Sequence, residues 1–124
     1  MSINKHDLSF LSDIYDRCIK IKEFTKGMRF YHFTKDSKTI YAVERAFEII
    51  GIATNKISKE TKEGLNHIPW GEIVGLRNKI AHEYDEILLN VLWSIAKKSV
   101  PKLITELKKI QDLKPFLKDK NDNI

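Results

Sequence analysis

Apolar residues recur at three- and four-residue spacing along nearly the whole chain, and no stretch alternates at period two for long enough to make a strand. That pattern restricts the chain to helices packed on one another. Leu8, Leu11, Ile14, Tyr15, Cys18 and Ile19 share one face of a first helix, predicted from about Lys5 to Phe24. The segment Gly27 to Lys35 breaks the pattern and is expected to be a loop. Asp36 or Ser37 is placed to cap a second helix by accepting from its free amides. This helix carries Ile40, Val43, Phe47, Ile50, Thr54 and Ile57, and Ala46, Ile49 and Ala53 widen its stripe. So broad a stripe marks a central helix with several neighbours.

Ser58-Lys59-Glu60-Thr61 reads as a helix restart ending near Gly64, and Pro69 suits the first turn of the next helix. Ile73, Leu76, Ile80 and Tyr84 then share a face. A last helix is expected from about Glu86, with Leu88, Leu92, Ile95, Leu103, Leu107 and Ile110 inward. Pro101 should kink or split it, because its ring nitrogen cannot donate a helical hydrogen bond. The predicted fold is all-α: an up-and-down bundle of four to five helices forming one domain over residues 1–113. A flexible basic and polar tail is expected over 114–124.

The 124 residues suffice for one domain with a modest core, and 42% apolar with 31% charged content is ordinary for a globular chain. No apolar stretch is long enough to cross a bilayer, and Met1 to Phe10 has no signal-like apolar region. Cys18 is the single cysteine, so no internal disulfide is possible; this agrees with a reducing, cytoplasmic setting. Its place on the apolar stripe makes it a buried structural thiol. The net charge is +5, and from Lys97 onward there are 8 lysines against 4 acids. Residues 1–96 hold 14 basic and 13 acidic residues. The C-terminal lysines could meet a phosphate backbone or simply form a solvated face, so charge does not decide function.

The densest chemistry lies in Arg77-Asn78-Lys79-Ile80-Ala81-His82-Glu83-Tyr84. Arginine grips phosphate oxygens through its planar, permanently charged fork. Histidine, with an ordinary pKa of about 6.5, can take and give protons near neutral pH. The plain alternative is an exposed helix end with ordinary polar residues. On a continuous helix Arg77 and Tyr84 would lie within about 20° of each other, and Arg77 and His82 about 140° apart. A regular helix therefore separates cation from imidazole. Local unwinding near His82, or a site assembled from two copies about a two-fold axis, would reunite them; the second favours a homodimer.

Other candidates are weaker. His67 and His82 lack helical zinc-site spacing, no H-E-x-x-H or C-x-x-C occurs, and no metal site is expected. His6 and His32 read as solvated. Gly71 and Gly75 do not form a phosphate loop; Gly51 and Gly75 read as points of close helix approach. Trp70 and Trp93 read as core or interface anchors.

Arg77-Asn78-x3-His82-x-Tyr84 matches the R-x4-H-x-Y motif of the HEPN superfamily ribonucleases. Ala42-Val43-Glu44-Arg45-Ala46-Phe47-Glu48-Ile49-Ile50-Gly51 resembles the central helix of the HepT-like toxins. Ile57-Ser58, Ile68-Pro69-Trp70, Ile73-Val74-Gly75-Leu76-Arg77-Asn78 and Val91-Leu92-Trp93 follow in that family's order. The resemblance covers roughly residues 5–110. One departure is visible: the family usually continues Gly-Glu-Ala where this chain has Gly51-Ile52-Ala53, so position 52 offers no carboxylate.

The resemblance implies a HEPN-like bundle and a homodimeric, metal-independent, cofactor-free RNase, the toxin of a type VII-like toxin–antitoxin pair. Its implied partners are a minimal nucleotidyltransferase antitoxin and an RNA substrate, tRNA being one class. In that scheme His82 is general base or acid, Arg77 stabilises phosphoryl charge, Asn78 supports them, and Tyr84 accepts AMP groups that silence the enzyme. The other class of function is a catalytically idle HEPN subunit that binds a nucleotidyltransferase or a nucleotide. A simple nucleic-acid binder is a third.

Overall fold

The first helix, α1, runs Lys5–Phe24 in a computed structural model that describes residues 3–75 and 85–117. Asn4 starts it: its side-chain oxygen accepts the Asp7 N–H at 2.8 Å, satisfying one of the amides a helix start leaves unpaired. After it come α2 (Phe30–Thr34), α3 (Ser37–Lys56) and α4 (Lys59–Gly64). A helix over 70–75, here α5, follows Pro69. Helices α6 (Asp85–Ser94) and α7 (Val100–Lys108) follow, joined by a π-helical turn over Ile95–Ser99, and a 3-10 turn over Gln111–Leu113 comes after them. Asp36 rather than Ser37 caps α3, accepting the Thr39 N–H at 3.0 Å. Ser58 caps α4 through the Thr61 N–H at 3.2 Å. The described residues contain no strand.

The stripes read from spacing meet in one core. α1 packs chiefly on α3 and on α7, and α3 also touches α2 and α6. Leu11, Ile14, Tyr15, Cys18 and Ile21 of α1 are fully buried. They share that core with Val43, Ala46, Phe47, Ile50 and Ala53 of α3 and with Leu92, Ile95, Val100, Leu103 and Leu107 of the C-terminal helices. Each fully buried large aliphatic side chain contributes about 1.5–3 kcal/mol of transfer free energy. Burial pushes the Cys18 thiol up to about 12, which keeps it protonated and inert.

One expectation about the elements needs correction. The segment Gly27 to Lys35 is not wholly loop, because Phe30–Thr34 forms α2. Phe33 is fully buried and stacks 5.3 Å from Trp93, and Phe30 lies 6.2 Å from the same ring. That one-turn spacing pins a helix too short to stand alone. At Pro101 the last helix is divided as expected, into α6 and α7 by a π turn. The Val100 N–H bonds the Ile95 carbonyl, five residues back, so one widened turn absorbs the proline's missing donor.

Among the described residues nothing approaches Gly75 closely: a Cβ there would meet no atom of theirs within 4 Å. Of the 114–124 segment, 114–117 is helical with Leu117 buried, and 118–124 lies outside the described residues. Asp112 accepts the Ile3 N–H at 2.9 Å, tying the two ends of the described chain together.

Candidate functional site

Arg77, Asn78, His82 and Tyr84 all lie outside the described residues. What is described is the frame on either side: α5 leads toward the motif from 75, and α6 begins directly after it at Asp85.

The α5 residues Glu72 and Ile73 help line an apolar groove of about 410 Å³. Its floor is Phe47 and Ile50 of α3 with Val100 and Leu103 of α7, and Lys98 and Lys102 stand on its lip. At the same rim His67 Nδ1 sits 3.0 Å from Glu106 Oε2, and Lys109 Nζ donates to Glu106 Oε1 at 3.0 Å. The Lys109 hydrogen bond, with a smaller contribution from His67, holds the Glu106 carboxyl below its ordinary range. On α3, partial burial raises the Glu44 carboxyl. Ile52 is half-buried on the same helix, so no carboxylate stands at that position.

A polar knot joins the start of α1 to the start of α4. Asp7, 2% exposed, accepts from the Ser58 N–H at 3.1 Å, the Ser58 hydroxyl at 2.6 Å and the Thr61 hydroxyl, and from Asn4 Nδ2 at 3.1 Å. Burial alone would raise this carboxyl; the hydrogen bonds outweigh it and hold the group below its ordinary value. Thus Asp7 staples two helix starts and is structural.

Of the remaining sequence candidates, His32 is exposed, and its Nδ1 accepts the Arg29 N–H at 3.1 Å. The Trp70 indole N–H donates to the Lys62 and Leu65 carbonyls, each at 3.1 Å, which makes Trp70 an anchor as read. Among the described residues no cluster of histidine, cysteine and carboxylates could hold a metal. No helix among them is long and apolar enough to cross a membrane. Nothing local in the sequence signals the His67–Glu106 pair, whose members stand 39 residues apart.

The described helices define a small all-α bundle, with the Arg77–Tyr84 motif lying in sequence between α5 and α6. Residues 14–110 match the family model described as Ribonuclease HepT-like. The chain is 40% identical over 106 residues to a Methanocaldococcus jannaschii protein provisionally named RNase MJ1380, covering 85% of this chain and 97% of that one. It is 37% identical over 102 residues to a Thermococcus cleftensis protein named Probable ribonuclease HepT, covering 82% and 93%. A Caldanaerobacter subterraneus relative, provisionally named RNase TTE0752, is 36% identical over 101 residues, covering 82% and 90%. No solved structure matches the chain significantly. The chain therefore belongs to the HepT-like ribonuclease family.

Proposed function

We propose that this chain is a metal-independent ribonuclease and the toxin half of a toxin–antitoxin pair. The observation that carries the reading is a complete R-x4-H-x-Y motif, Arg77 to Tyr84, inside a domain whose family match spans 14–110. The ribose 2′-oxygen attacks the adjacent phosphorus, the bond to the 5′-oxygen breaks, and a cyclic phosphate and a free 5′-hydroxyl result. His82 takes the proton from the 2′-hydroxyl or gives one to the departing 5′-oxygen. Arg77 offsets the charge that grows on the non-bridging oxygens, and Asn78 supports it. The site is completed by a second copy of the chain.

Control falls to Tyr84. A minimal nucleotidyltransferase antitoxin transfers AMP from ATP: the tyrosine oxygen bonds the α-phosphorus, pyrophosphate leaves, and the phenol proton goes to solvent. The adduct places bulk and negative charge beside a cation that must hold RNA. Expression with Arg77→Ala or His82→Ala should abolish growth arrest and RNA cleavage. Activity at the unmodified level in both variants would refute the assignment.

One observation favours a second reading, a catalytically idle subunit bound to a nucleotidyltransferase: the family's usual carboxylate is Ile52 here. In that case the purified chain cuts no RNA, while incubation with a nucleotidyltransferase and ATP still adds adenylate mass.

A further inference from the structure

We infer that the α1–α2 turn is a docking platform for single-stranded RNA, separate in sequence from the Arg77–Tyr84 motif. It rests on the ribonuclease reading only in naming RNA as the strand. Residues 20–38 hold six basic side chains (Lys20, Lys22, Lys26, Arg29, Lys35 and Lys38) against two acids, Glu23 and Asp36. All six basic residues are exposed. Asp36 is engaged in capping α3, so its charge is already directed at the Thr39 N–H. The C-terminal basic segment reaches the same place: Lys97 Nζ donates to the Thr25 carbonyl at 2.9 Å and lies 5.0 Å over the Trp93 ring.

Aromatic surface accompanies this charge. Of the four large apolar side chains exposed among the described residues, Phe24 (37%), Tyr31 (65%) and Tyr41 (72%) fall between 24 and 41. Tyr31 carries Lys35 Nζ over its ring at 5.0 Å, and His32 meets it edge-on at 5.8 Å. The platform is rigid from beneath. Gly27, at φ 74°, takes the left-handed conformation that turns the chain out of α1. Phe30 and Phe33 then lock α2 to Trp93, which leaves Tyr31 and Lys35 outward.

Cations that track phosphates, interleaved with an exposed ring that accepts a base, are what an unpaired strand requires. A duplex hides its base faces and would leave the exposed ring unused. Tyr31 is the stacking residue, and Arg29 and Lys35 are phosphate contacts.

Binding of a labelled, unstructured oligoribonucleotide to the full chain tests this, read by fluorescence anisotropy in a His82→Ala background so that the strand survives. Tyr31→Ala should weaken Kd about fivefold or more, the loss of one stacked base, without changing the salt dependence. Lys35→Ala should lower the slope of log K against log salt by about 0.7, one phosphate contact. Tyr31→Phe should bind like the parent, as should Lys59→Ala on α4. If Tyr31→Ala and Lys35→Ala both stay within about twofold of the parent, or if duplex RNA competes as well as the single strand, the platform is refuted. Failure of the unmodified chain to cleave would strike the catalytic reading and leave this surface standing. Cleavage with unaltered binding in the variants would strike the surface alone.

Discussion

At the scale of single residues, Asp7 shows how a carboxylate near a chain start can govern stability without chemistry. Its acceptors hold the Ser58 amide and hydroxyl and the Thr61 hydroxyl, groups that α4 would otherwise leave unpaired. Asp7→Ala should destabilise the fold by about 1–3 kcal/mol, the usual result of stranding buried donors, seen as a lower denaturation midpoint. Because its folded pKa is depressed from 3.8, Asp7 contributes full stability above that value and loses it as pH falls through the folded pKa. Acid titration of the midpoint should therefore fall less steeply in Asp7→Ala than in the parent. The partners of Asp7 at the start of α4 lie 51 and 54 residues away in the chain, beyond any local pattern.

At the scale of elements, α2 shows what periodicity misses. Five residues cannot display a helical repeat, and a helix of that length is not stable alone. It exists because Phe33 enters the core and meets Trp93. Phe33→Ala should cost about 3–5 kcal/mol and should release the α1–α2 turn, measured as faster amide exchange over 28–35 than in the parent. Unchanged exchange there would mean that α2 is held by something other than this ring. The long helices behaved differently. α1 spans the residues its stripe predicts, and the Asp36 and Ser58 caps are visible in sequence because a cap needs only its own few neighbours. Pro101 is intermediate. Its interruption of the last helix is legible in the sequence, but the form of that interruption, a π turn, depends on the packing of Ile95, Val100 and Leu103 around it.

At the scale of the whole molecule, the two-copy site is the boldest expectation, and it rests on helical angles alone. If Arg77 of one copy works with His82 of another, mixing Arg77→Ala with His82→Ala chains should restore cleavage that neither shows alone, since a mixed dimer rebuilds one intact site. No recovery after unfolding and co-refolding would mean that each chain carries its own site. The sequence by itself determined the all-α class, the boundaries of the long helices, the caps and the family motif. Each depends on residues close together in the chain, where spacing and chemistry can be read directly. Only the tertiary structure decided the helical state of α2, the His67–Glu106 pair at the groove, the Asp7 knot and the meeting of Lys97 with the α1–α2 turn. Those contacts join residues distant in sequence, and their formation depends on how whole helix faces pack, which no local spacing encodes.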